Sequence, residues 1–73
     1  MAQETVEIPI TGKIISINVK EGDNVEEGNT LCLLESMKME NPILAPVAGI
    51  VTNIKLLPGQ VVQAGDILAI IEY

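Results

Sequence analysis

The sequence predicts an all-β fold, a flattened barrel or sandwich assembled from two similar halves, on three observations. The first is an internal repeat. A shift of 37 residues pairs all six glycines, Gly12 with Gly49, Gly22 with Gly59 and Gly28 with Gly65, and no gap is needed between residues 9 and 72. The same shift superposes Pro9 on Pro46, Ile17 on Ile54, Val25 on Val62, Leu31 on Leu68 and Glu35 on Glu72, with conservative pairs such as Ile14/Val51 and Leu33/Ile70 between them. The second is that apolar residues fall in short alternating or continuous runs of strand length. The third is that no segment carries a sustained 3.6-residue apolar stripe, so helix is not expected. The chain of 73 residues therefore reads as one domain, 1–73, with half-repeats at about 8–36 and 45–73.

Each element follows from local chemistry. Ile15, Ile17 and Val19 alternate with Ser16 and Asn18, and Ile54 and Leu56 alternate with Asn53 and Lys55; that period of two predicts a half-buried strand in each half. Glu21-Gly22-Asp23 and Pro58-Gly59-Gln60 are turn sequences in which glycine supplies positive φ. Gly28 and Gly65 interrupt the chain again. Leu31–Leu34 and Ile67–Ile71 then read as the second strand of each half. Strands this short are unstable as isolated hairpins, so the halves are expected to pack face to face.

Composition removes most function classes. Lys+Arg is 4 against Asp+Glu 10, a net charge of −6, which argues against nucleic acid and against an anionic membrane surface. Tyr73 is the sole aromatic residue, so no base-stacking platform exists. Histidine is absent, which excludes Ser-His and Cys-His nucleophile pairs and the commonest metal ligand. Cys32 is the single cysteine and pairs with Ala69 in the repeat, which marks a small core position; no intrachain disulfide or thiolate metal cluster is expected. No apolar run approaches the length of a membrane span, so no membrane insertion is expected. Met1-Ala2-Gln3-Glu4 lacks the features of a secretory signal, and the expected location is the cytoplasm. Glu21, Asp23, Glu26 and Glu27 cluster at the first turn without the ligand spacing of an EF-hand loop, so they read as a solvated turn. Thr11 and Ser36 have no base partner and no catalytic role is expected of either.

The halves meet at Glu35-Ser36-Met37-Lys38-Met39-Glu40-Asn41. Strands on both sides make this a hairpin, yet its centre is Met37-Lys38, where local turn chemistry would place Asn-Gly. A local rule broken at one place points to function, and residues with a Cβ at φ > 0 would make the turn strained. Lys38 differs from Lys13, Lys20 and Lys55, which sit among polar neighbours, because methionine flanks it on both sides. Two methionines bracketing a charge at a hairpin tip are expected to be exposed and to form a recognition surface. Rotation of one half onto the other carries Ser36 onto Tyr73, so Lys38 is expected at one end of the molecule and the termini at the other.

Met37-Lys38-Met39 lies between two copies of a Gly-x-x-Val-x-x-Gly unit, residues 22–28 and 59–65, with an Ala45-Pro46-Val47-Ala48-Gly49 element after it. In these features the chain, from about Glu7 to Tyr73, resembles the biotinyl/lipoyl carrier domain family, and its Met-Lys-Met tip resembles the biotin carboxyl carrier type. Ser36 departs from the alanine more common before the first methionine. The resemblance implies two antiparallel four-stranded sheets with a pseudo-twofold axis, and the gapless repeat resembles the thumbless members, which lack a protruding insertion. It implies covalent biotin on Lys38, with Met37 and Met39 read by a biotin protein ligase and Glu35, Ser36 and Glu40 as further recognition candidates. The implied partners are that ligase, a biotin carboxylase, and a carboxyltransferase or decarboxylase subunit. The domain itself would carry no catalytic residue and bind no metal. Two other readings remain open: a lipoyl carrier of a 2-oxoacid dehydrogenase or glycine cleavage system, against which the flanking methionines speak, and an unmodified barrel-sandwich module used for assembly.

Overall fold

A computed structural model describes all residues, 1–73. It contains eight strands and no helix: β1 (Gln3–Glu7), β2 (Gly12–Ile17), β3 (Asn24–Val25), β4 (Thr30–Ser36), β5 (Met39–Leu44), β6 (Gly49–Ile54), β7 (Val61–Val62) and β8 (Ile67–Glu72). They form two four-stranded sheets, β1-β8-β6-β3 and β5-β4-β2-β7, and every pairing is antiparallel. The first is called the terminal sheet here and the second the tip sheet. Adding 37 to the residue numbers of β1 through β4 places each on β5 through β8 in turn, so the sheets exchange under the repeat. The correspondence reaches beyond the sequence repeat from Pro9, because β1 and β5 are also equivalent although their residues differ.

Between the sheets lies a core of fifteen buried residues, all apolar. Fourteen of them form seven pairs under the shift: Val6/Ile43, Ile8/Ala45, Ile14/Val51, Val25/Val62, Leu31/Leu68, Cys32/Ala69 and Leu34/Ile71. The fifteenth, Leu56, corresponds to Val19, which packs half-buried against the same cluster. Each half thus supplies the apolar surface that the other requires, and neither closes a core alone.

The alternation read from Ile15, Ile17 and Val19 holds for Ile17 and Val19, which pack half-buried against the core, and fails at Ile15. Ile14 is the buried residue of β2 and Ile15 is exposed. The register against β4 shifts between Ile14 and Ser16, and the same irregularity recurs between Val51 and Asn53 in β6. One extra residue in a strand changes the face of the side chains across it, so a period of two counted back from Ile17 puts Ile15 where Ile14 belongs.

Four turns are built on one plan. In Lys20–Asp23, Glu26–Asn29, Leu57–Gln60 and Gln63–Asp66 the third residue is a glycine with φ between 87° and 95°. The fourth backbone N–H donates to the first carbonyl at 3.0–3.2 Å. The fourth side chain accepts the first N–H: Asp23 from Lys20, Asn29 from Glu26, Gln60 from Leu57 and Asp66 from Gln63, at 2.9–3.0 Å. This is type II turn geometry with a side-chain clasp. Gly12 and Gly49 serve a different need: a Cβ on either would collide with the carbonyl oxygen of Glu35 or Glu72, respectively. Both are points where two strands approach too closely for any side chain.

Gly49→Ala is therefore expected to lower the free energy of unfolding by roughly 1–3 kcal/mol, the usual range for overpacking, measured by urea denaturation. Gly12→Ala should behave alike if the two close approaches are equivalent.

Candidate functional site

The β4–β5 hairpin carries the site. Glu35 pairs with Glu40 and Ser36 with Met39, which leaves a two-residue loop of Met37 and Lys38. Their φ angles are 55° and 64°, and they are the only non-glycine residues of the chain with positive φ. Two such residues in a two-residue loop define a type I′ turn, whose twist matches the flanking strands. The left-handed region costs a residue with a Cβ roughly 1–2 kcal/mol, so the apex is held against local preference by the strands beneath it. β4 is the stronger of those strands, hydrogen-bonded to β2 on one side and β5 on the other, with Leu31, Cys32 and Leu34 buried.

One further bond fastens the apex. Ser36 Oγ donates to the Thr11 carbonyl at 2.9 Å, tying the hairpin to the connection that leads into β2. Asn41 Nδ2 donates to the Met39 carbonyl at 3.2 Å. The residue pattern assigns Thr11 and Ser36 no catalytic role and places Ser36 among the recognition candidates; the structure joins the two as a brace. Nothing in the residue pattern marks a contact 25 positions apart.

Most side chains of the apex face water. Met37 is 91% exposed and Met39 65%, and Lys38, Glu35 and Glu40 are exposed as well, with Ser36 half-buried. Glu35 and Glu40 stand directly opposite each other one pair below the turn, a like-charge arrangement that opposes hairpin formation. Lys38 thus projects above two carboxylates and between two thioethers, with Lys13 beside Glu35 in the row below.

The far end of the molecule is the repeat's counterpart of this hairpin. Ala2 N–H donates to the Tyr73 carbonyl at 2.7 Å, and Tyr73 N–H to the Ala2 carbonyl at 2.8 Å. From there the chain runs along β1 to Thr11, the residue bonded to Ser36 beneath the apex. At ~3.3 Å per residue the stretch 2–11 covers about 30 Å, most of the 37 Å long axis, so Lys38 and the paired termini lie at opposite ends.

The remaining candidates are accounted for by packing. In the acidic cluster, Asp23 clasps its own turn, and Glu21 Oε2 accepts the Ile54 N–H at 3.0 Å, joining a first-half turn to a second-half strand. That role is invisible in the repeat, where Glu21 aligns with Pro58. Cys32 is fully buried, and burial pushes its thiol up to about 11 from 9.0.

A rigid β scaffold with one lysine amine at its apex has the form of a carrier domain, a unit that presents a group to other proteins. The comparisons identify which. The sequence profile described as "Biotin-requiring enzyme" matches residues 4–71, and the chain belongs to this biotin/lipoyl attachment family. It is 48% identical over 68 residues to the "Biotinylated protein TB7.3 homolog" of Mycobacterium leprae, covering 93% of this chain and 96% of that protein. Against the "Biotin carboxyl carrier protein" of Streptococcus mutans it is 46% identical over 65 residues, 89% of this chain and 50% of that one. Among solved structures, the Kluyveromyces lactis urea carboxylase contains a region that superposes with a TM-score of 0.91 at 32% identity, spanning 99% of this chain and 6% of that chain.

Two outcomes test the site's physics. Replacing Met37 by Asn and Lys38 by Gly should raise stability by about 2 kcal/mol in chemical denaturation, because the left-handed conformations are then native to the residues. For Cys32, the folded pKa exceeds the unfolded one, so its contribution is intact below pH 9 and is lost as pH rises through 11. Stability should therefore fall more steeply over that interval than in Cys32→Ala, as followed by thermal melts at a series of pH values.

Proposed function

We infer that this chain is a biotin carboxyl carrier and that Lys38 is the residue that receives the cofactor. The observation that carries the assignment is the strained, fully exposed Met37-Lys38 apex: an amine on a stiff, otherwise featureless tip suits covalent loading and suits little else. Family membership and the named relatives support biotin as the group loaded. Lipoate is not favoured, since the flanking residues are methionines.

Lys38 Nζ would hold biotin through an amide: the amine, having given up a proton to a biotin protein ligase, would form the C–N bond to the activated biotin carboxyl carbon as the activating group leaves. An ammonium has no lone pair with which to attack a carbonyl, so the ligase must take the proton before the bond forms. Met37 and Met39 offer the ligase flexible, polarisable contacts on both sides of the amine, and Glu35, Ser36 and Glu40 border the same surface.

Bound biotin supplies a ureido nitrogen that accepts a carboxyl group at one enzyme and releases it at another. The chain's own residues act physically. The I′ turn fixes the direction in which Lys38 leaves the domain, the Ser36–Thr11 bond and β4 keep the apex rigid, and the tether holds the reactive group at high effective concentration near each active site. The domain is non-catalytic. The partners proposed for it are a biotin carboxylase and a carboxyltransferase or decarboxylase, with the cytoplasm as the compartment, in keeping with one reduced, buried cysteine.

Intact mass of the chain co-expressed with a biotin ligase should show one biotin increment, and Lys38→Ala should abolish it with the melting curve unchanged. Met37→Thr and Met39→Thr should slow loading about tenfold or more without unfolding the domain, the scale expected for loss of a recognition contact. Streptavidin-reactive Lys38→Ala protein would refute the assignment.

A further inference from the structure

The chain contains three methionines and one cysteine, and the fold sorts their sulfurs by access to water. Methionine is ordinarily a filler of irregular cores, yet none of the fifteen core residues is a methionine. Met37 and Met39 flank Lys38 at one pole, 91% and 65% exposed, and Met1 stands at the other, 95% exposed. The cysteine is the reverse case. Cys32 is fully buried with its thiol pushed up to about 11, so it offers an oxidant neither access nor thiolate. Every sulfur within reach of a soluble oxidant is therefore a thioether, and two of the three border the one amine on which the proposed function rests.

We propose that Met37 and Met39 are sites of reversible sulfoxidation that switches off the loading of Lys38, an inference that rests on the carrier function above. The oxidant is a peroxide. A thioether lone pair attacks one peroxide oxygen, the S–O bond forms and the O–O bond breaks. With hydrogen peroxide the other oxygen leaves as water, so the sulfur loses two electrons and the peroxide gains them. A dithiol reverses the step, closing to a disulfide while the sulfoxide oxygen departs as water, and each sulfoxide epimer requires its own reductase. At the surface the change is large. An apolar, polarisable side chain becomes a polar, chiral one, and a partner packed against the thioethers must then desolvate an S–O dipole. The core is untouched, because it holds no methionine, so the switch acts on recognition and leaves the scaffold standing. Exposure also sets an order of reaction, with Met37 ahead of the partly covered Met39. Met1 is an internal control, more exposed than either and a molecule's length from Lys38.

The test treats the unloaded chain with hydrogen peroxide, removes the peroxide, and follows loading by a biotin protein ligase that has not met the oxidant. Peptide mapping assigns each added oxygen. With Met37 and Met39 both oxidised, the initial rate of loading should fall at least tenfold while the melting curve is unchanged. Treatment with sulfoxide reductases for both epimers should return the rate to within twofold of its starting value. Met37→Leu with Met39→Leu keeps only the distant thioether, and its own loading rate should be the same before and after peroxide within twofold. Should that variant load too slowly to follow, wild-type chain oxidised at Met1 alone, isolated by chromatography, should load at the untreated rate. Unchanged loading of chain oxidised at both apex methionines overturns the proposal. So does an equal loss in the leucine variant or in the Met1-oxidised fraction, or a loss that accompanies unfolding. Untreated wild-type chain that takes no biotin overturns the carrier function as well; chain that loads equally well before and after oxidation overturns only the switch.

Discussion

Everything at the apex depends on the pairing of β4 with strands on both sides. Its inward residues are sealed in the core and its backbone is hydrogen-bonded to β2 and β5. The approach of β2 is so close that position 12 admits only glycine. A strand clamped in this way has no freedom to fray, and a two-residue loop at its end inherits that rigidity. With a looser strand, two residues with a Cβ would leave the left-handed region and the amine would lose its direction.

The strain at Met37 and Lys38 is thus set against the cooperative burial of the two-sheet core. The like charges of Glu35 and Glu40 oppose the hairpin as well, and the Ser36–Thr11 bond offsets part of both. Sequence features that weaken the scaffold are concentrated in a handful of residues at one end, and the other strands and turns follow local preference closely. This distribution separates the residues that stabilise the domain from those that other proteins read.

The fold was legible because the duplication is gapless: glycine spacing alone fixed the turns, the junction hairpin and the equivalence of chain ends and apex. The site was legible for the opposite reason, since Met-Lys stands where every other tight turn has glycine. What the residues concealed were contacts without a local signature. The bulges at Ile15 and Thr52 reverse the faces on which a period of two depends. The Ser36–Thr11 brace and the Glu21–Ile54 bond join residues 25 and 33 positions apart, and the second has no counterpart across the repeat. The β1–β5 equivalence escaped notice because only Val6/Ile43 and their neighbour Ile8/Ala45 lie in the core, and exposed edge residues have diverged freely.

The hydrogen-bonded ends at Ala2 and Tyr73 make the base of the molecule a pivot. Polypeptide attached there would enter and leave side by side, and the whole long axis would then act as a lever. A slight swivel at that joint would sweep the opposite pole through a wide arc, so travel between distant reaction centres could be achieved with no deformation of the body itself.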